Sequence, residues 1–203
     1  MSEKFKGLYR NESARLKNWD YGTDAAYFIT ICTHNREHFF GKIENNKMQV
    51  SPIGAIAYVL WDEIKNHAKN IQLGEFVVMP NHVHGILILD GNGGRDVACN
   101  VPTTTNVPTT TNVPTEMETT NPKNEMMSSI SPKSNTIPSI IRSYKSAVTK
   151  YCNRLELPFA WQSRFHDHII RNDESFQRIS EYIKNNPAKW QKDIFLYTED
   201  NFL

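Results

Sequence analysis

The segment Glu75-Phe-Val-Val-Met-Pro-Asn-His-Val-His-Gly-Ile-Leu-Ile-Leu89 decides the fold. Two apolar, β-branched-rich runs, 76–79 and 86–89, flank Pro80-Asn81, which is a turn signal. The pattern predicts an up-and-down pair of strands, the second opened by His82 and His84. Alternate residues of a strand point to one face, so the two imidazoles project side by side. Two neutral imidazoles held this way form half of a metal site. Taken alone, a His-x-His is more often a pair of ordinary polar residues on a half-solvated sheet face. A partner much later in the chain, at Tyr182 and Asn186, favours chemistry here.

Outward from this pair, Ala26-Tyr-Phe-Ile-Thr-Ile-Cys-Thr33 reads as a strand. Residues 39–43 and 47–50 read as a hairpin around Glu44-Asn45-Asn46, where Asn tolerates left-handed backbone. Ser51-Pro52 opens a helix that carries Ile53, Ile56, Ala57, Leu60 and Ile64 at helical spacing and is expected to end near Asn70.

Residues 91–136 differ in kind. Asn100-Val-Pro-Thr-Thr-Thr105 recurs at 106–111 and starts again at Asn112. Proline breaks helices, and the apolar content is too low to offset the entropy of ordering. Two and a half copies are also too few for a stacked repeat core. The segment is expected to be a Thr/Pro/Asn-rich disordered insertion between two halves of one domain, 21–90 and 137–190. Residues 1–20 carry Lys4, Lys6, Arg10, Arg15 and Lys17 and read either as a frayed terminus or as a nucleic-acid-contacting arm. Residues 188–203 read as a loosely packed aromatic and charged tail, with 191–203 outside the domain.

Residues 137–155 form an amphipathic helix with Ile137, Ile140, Ile141, Tyr144, Val148, Tyr151 and Cys152 as its apolar stripe. Arg142, Lys145, Lys150 and Arg154 crowd the remaining surface, with no acidic residue before Glu156. That surface is either a solvated face or a contact for phosphates. A second His-x-His, His166 and His168, lies in the next strand. Asn172 or Asp173 caps the last helix, which Pro187 stops after Asn186.

On that last helix Phe176, Ile179 and Ile183 form the buried stripe. At about 100° per residue, Asn186 falls ~20° from the Ile179 direction and Tyr182 ~60° on the same side. Laid against the sheet, the helix aims a phenol and a carboxamide at its surface. Two imidazoles, an amide oxygen and a phenol suit phosphodiester cleavage. A divalent ion on His82, His84 and Asn186 polarises the phosphodiester, and Tyr182 attacks phosphorus. The bond energy stays in the phosphotyrosine, so strands are cut and rejoined without a nucleotide cofactor.

The segments 76–85, Ser143-Tyr-Lys-Ser-Ala-Val-Thr149, Trp161-Gln-Ser-Arg-Phe-His-Asp-His-Ile-Ile-Arg171 and Glu181-Tyr-Ile-Lys-Asn-Asn-Pro187 resemble the Y1 transposases of the HUH endonuclease superfamily. Within it they are most similar to the REP-associated tyrosine transposases, relatives of the IS200/IS605 group. The resemblance implies an α+β fold: a ferredoxin-like antiparallel sheet with helices packed on one face. It also implies single-stranded DNA substrates with hairpin structure, Mg²⁺ or Mn²⁺, and a 5′-phosphotyrosine intermediate. Carried onto this chain, Tyr182 is the nucleophile and His82, His84 and Asn186 are the metal ligands. Asn186 stands where the IS200 relatives are expected to have Gln. His168 and Arg171 belong to a recurrent motif of the family without an assigned role. The resemblance allows a homodimer with the tyrosine helix exchanged or a monomer, and the insertion departs from the compact family pattern.

Bulk properties set the outer bounds. The chain has 203 residues, a net charge of +1 and a pI near 7.7, so only local clusters of Lys and Arg argue for nucleic acid. Cys32, Cys99 and Cys152 are odd in number and far apart, which fits a reducing cytoplasm better than a disulfide framework. No apolar signal or membrane-length run is present, so a cytoplasmic protein without membrane partners is expected. Position 86 is Ile, which excludes a histidine triad, and the His-x-Glu and Pro-Cys-x-x-Cys of zinc deaminases are missing. His166 and His168 lack a cysteine partner nearby for a zinc site. The alternative class is a non-catalytic ferredoxin-like nucleic-acid-binding module, for which the basic helix and the aromatic strand 26–33 would suffice.

Overall fold

β-branched and aromatic side chains hold residues 25–32 extended, and this strand, β1 (Ala25–Cys32), is one of the two inner strands of the sheet. The computed structural model describes residues 19–90 and 135–192. The expected basic arm, the insertion and the tail therefore lie outside the described residues, except at their edges.

β2 (Gly41–Glu44) and β3 (Lys47–Val50) form the expected hairpin, with Asn45 and Asn46 in left-handed backbone at φ 50° and 59°. α1 (Pro52–Asp62) begins where the Ser51 side chain accepts from the Gly54 N–H at 3.0 Å. Instead of continuing toward Asn70, it breaks at Glu63 into a short α2 (Ile64–His67), and the break turns Ile64 into the core. β4 (Ile71–Met79) and β5 (His82–Leu89) pair across the Pro80-Asn81 turn. A bulge at Gly74-Glu75 shifts their register, and a Cβ on Gly74 would lie 2.9 Å from Ile86 Cβ.

α3 (Ile137–Arg154) is capped by Thr136, whose backbone N–H donates to Ser139 Oγ at 3.1 Å. Its buried stripe is the expected one except for Tyr151, which is 45% exposed because it faces an open groove between α3 and the α1–α2 segment. β6 (His166–Ile170) pairs with β1, and α4 (Asp173–Asn185) follows from an Asn172 cap that accepts from Ser175 N–H at 2.8 Å. A 3₁₀ turn, Pro187–Lys192, ends the described chain.

All four long strands run antiparallel in the order β4-β5-β1-β6, the ferredoxin-like arrangement. Strand alternation divides the sheet into two surfaces. Tyr27, Ile29 and Ile31 of β1 with Val83, Leu87 and Leu89 of β5 belong to the main core under α1 and α3. The other surface presents Phe28, Ile86 and Ile88 to Phe176, Ile179 and Ile183 of α4. Helices on one face describes α1 and α3; α4 lies opposite, because its apolar stripe matches the alternate set of strand side chains. Among the described residues, no helix is long and apolar enough to cross a membrane.

Candidate active site

His82 and His84 leave β5 on the α4 side, both buried, with ring centroids 4.4 Å apart. Each ring is gripped through Nδ1. His82 Nδ1–H donates to the side-chain oxygen of Asn81 at 2.8 Å, which leaves the lone pair on Nε2. Thr30, directly across on β1, places Oγ1 2.8 Å from His84 Nδ1. With Nδ1 donating to that hydroxyl, Nε2 of His84 also offers a lone pair.

The phenol of Tyr182 meets it there, its oxygen 3.3 Å from His84 Nε2. Phe28 shapes the floor, 5.2 Å from the His84 ring and edge-on to Tyr182 at 6.2 Å. Tyr182 is 39% exposed, so one side of the phenol opens to solvent.

Burial pushes His84 down to about 3. His82 is held well below the usual imidazole range by burial first, then by the charges of His84, Arg36 and His38. Both rings are neutral near pH 7, which is the metal-binding form.

Asn186 is 2% exposed, and its Oδ1 has no hydrogen-bond partner among the described residues. Leaving a buried oxygen so costs about 1–3 kcal/mol, a cost that a coordinated cation would remove. Four residues before it Tyr182 touches His84, and four residues after it Trp190 packs on His82 with centroids 6.0 Å apart. Asn186 stands between these contacts along the chain. Among the described residues, no three His, Cys, Asp or Glu side chains gather into a metal-binding group, so a third protein ligand here would be an amide.

Trp190 itself corrects an expectation. It sits in the segment read as a loose tail but is 8% exposed, packed against His38 and His82. Pro187 ends the α-helix, yet the 3₁₀ turn that follows carries the chain back onto the sheet.

The basic helix lies elsewhere. α3 covers the other surface of the sheet, so Arg142, Lys145, Lys150 and Arg154 are across it from the imidazoles. Lys145 is committed locally: its ammonium donates to the Gln162 and Arg164 carbonyls and lies over Trp161. Lys145, Lys150 and Arg154 line a shallow cavity of about 670 Å³, and Arg142 stands exposed outside it. His166 and His168, by contrast, share the site's side, opposite Thr30 and Phe28 in register, and are exposed. Residue spacing did not reveal Asn81 and Thr30 as partners of the imidazoles. Asn81 carried a signal only as a turn residue, and Thr30 only through its place across from His84.

No protein-family model matches the chain. An uncharacterized protein of Haemophilus influenzae is 35% identical over 196 residues, which span 95% of this chain and 97% of the relative. The chain belongs to that protein's family. Its fold is shared with a solved REP-associated tyrosine transposase bound to a REP hairpin, with a TM-score of 0.52 at 17% identity over 87% of this chain and 73% of the other. The ferredoxin-like sheet with α1 and α3 on one side and α4 on the other is thus the fold of that transposase.

Proposed function

We propose that the chain is a metal-dependent single-stranded DNA endonuclease and strand transferase, acting at hairpin-flanked sites through a 5′-phosphotyrosine. One observation carries the proposal: the Tyr182 hydroxyl lies 3.3 Å from Nε2 of a buried histidine whose ring meets that of a second one edge-on, with centroids 4.4 Å apart. His82, His84 and Asn186 would hold Mg²⁺ or Mn²⁺. When bound, the ion polarises the phosphodiester and offsets its developing charge.

The side chains do the rest. Neutral imidazoles, fixed through Nδ1 by Asn81 and Thr30, keep Nε2 turned to the site. The Tyr182 oxygen forms a bond to phosphorus as the bond from phosphorus to the 3′ oxygen breaks. The phenolic proton is given up to water, and the 3′ oxygen takes up a proton as a free hydroxyl. Attack of such a hydroxyl on the phosphotyrosine reverses these changes and joins strands. One chain brings the phenol and both imidazoles together, which supports cleavage in cis. The exposed cations of α3 are proposed as contacts for DNA phosphates away from the cut.

The test is a labelled single-stranded hairpin DNA with Mn²⁺, read on a denaturing gel. A covalent adduct should form with the wild type and be absent from Tyr182→Phe and from the double alanine variant at His82 and His84. Salt-sensitive binding with no adduct under any metal would replace the enzyme with the non-catalytic binding module.

A further inference from the structure

The side chains gathered at the strand-transfer site leave charge neutralisation to the bound ion alone. Two neutral imidazoles, an amide and a phenol carry no fixed positive charge, while the phosphodiester brings one negative charge and concentrates more on its oxygens as phosphorus becomes five-coordinate. Lys184 of α4 is paired with Glu75 at 2.9 Å, and the α3 cations lie beyond the sheet.

One cation is built into the frame of the site. Cys32, the last residue of β1, pairs with His82, and the chain then makes a tight turn through His34–Arg36. This turn is fastened to the turn that leads into His82. Thr33 N–H donates to the Asn81 carbonyl at 2.9 Å, Thr33 Oγ1 lies 3.0 Å from the same oxygen and 2.7 Å from the Glu37 carbonyl, and Phe40 N–H donates to Pro80 at 3.0 Å. Within the clamp, Asn35 and Arg36 both hold left-handed backbone, at φ 48° and 54°. Asn adopts this region with little strain; Arg does not, and such strain persists where the surroundings impose it for a purpose. The guanidinium is partly inside, with Nη1 buried, and its charge is among those that His82 feels. Beyond it, His38 packs on Trp190, which in turn covers His82.

We propose that Arg36 is a catalytic residue of this site, binding the non-bridging oxygens of the phosphate that Tyr182 attacks. This rests on the strand-transfer function above. A guanidinium is always charged, and its planar fork matches two phosphate oxygens, so it holds the group in line and offsets charge as the transition state forms. The left-handed turn fixes where the side chain leaves the backbone, and the buried Nη1 holds part of the guanidinium inside.

The test uses the full chain. A pool of random-sequence single-stranded oligonucleotides with Mn²⁺ first maps a linkage that the wild type cleaves. That oligonucleotide is then made with the ordinary phosphodiester and with an uncharged methylphosphonate at the same linkage. Arg36→Gly should form adduct on the phosphodiester about 10²–10³-fold more slowly. Its melting midpoint should equal or exceed the wild type's, because glycine accepts the left-handed backbone freely. Arg36→Lys, which keeps the charge but not the fork, should fall between. On the methylphosphonate the Arg36→Gly defect should vanish, since there is no anionic oxygen left to neutralise. A variant as fast as wild type on the phosphodiester overturns the proposal, as does an equal defect on the neutral linkage. A wild type that forms no Tyr182-dependent adduct would instead sink the enzyme function itself, and this residue's role with it.

Discussion

The phenolic oxygen of Tyr182 lies 3.3 Å from Nε2 of His84, although 98 positions separate the two in the chain. Both belong to one molecule, so adduct formation should be first order in protein. At saturating DNA, dilution from micromolar to nanomolar should leave the yield per molecule unchanged. A yield that collapses on dilution would mean that the working tyrosine comes from another copy.

Tyr182→Phe removes the hydroxyl and keeps the ring against Phe28. The ring is already 39% exposed, so the lost hydrogen bond should cost within about 1 kcal/mol. Thermal melting should therefore shift by only a few degrees while the adduct disappears. Collapse of the fold in this variant would assign the tyrosine a packing role instead.

Asn81 and Thr30 touch no substrate and act through the imidazoles they orient. Asn81→Ala should weaken Mn²⁺ affinity about 10–100-fold, and Thr30→Val should do the same through His84. Titration of Mn²⁺ followed by electron paramagnetic resonance measures this without any DNA. Unchanged affinity in both variants would mean that the Nδ1 contacts do not set the rings.

In the metal-free protein, both buried histidines stay neutral far below their ordinary range, with His84 pushed down to about 3. In the unfolded chain each titrates near ~6.5. With folded values depressed, their stabilising contribution is complete above pH ~6.5 and is lost as protons bind the unfolded chain at lower pH. Each ring accounts for up to about 1.4 kcal/mol per pH unit in that window. Urea midpoints measured in EDTA should fall as the medium is acidified from neutrality, and the fall should be shallower in the double alanine variant at His82 and His84. An equally steep fall would place the titrating groups elsewhere.

Gly85 faces the main core, where a Cβ would come 2.3 Å from Trp61 Cζ2. The Trp61 ring cannot retreat, since it stacks on Phe76 at 4.5 Å and meets Tyr144 edge-on at 5.3 Å. Gly85→Ala should destabilise by about 1–3 kcal/mol in chemical denaturation. A neutral substitution would show that the ring has room to move.

Local patterns carried most of the architecture. The stripe from Ile137 to Cys152, the Asn45-Asn46 turn and the alternation through His82 and His84 each follow from a spacing of a few residues, and all recur in the fold. Helical angles placed Tyr182 and Asn186 on the margin of the packed stripe; Tyr182 is there, 39% exposed, while Asn186 caps the helix and is buried. Tertiary fastening was not legible in the same way. Trp190 returns to His82 only because a 3₁₀ turn follows Pro187, and Arg36 gains its position from hydrogen bonds between two turns that are distant in sequence. The side of the sheet taken by the basic helix depends on which alternate strand residues it covers, which no single segment encodes.

The two surfaces of the sheet are unequal: among the described residues, nineteen buried ones form the cluster beneath α1 and α3, and three form the one beneath α4. Folding free energy is therefore concentrated on the side away from Tyr182 and His84. A gene copy that accumulated lesions around Tyr182 or His84 would still produce a stable protein with its α3 cations in place. A descendant that had lost the proposed reaction would thus keep its fold and remain available for other work.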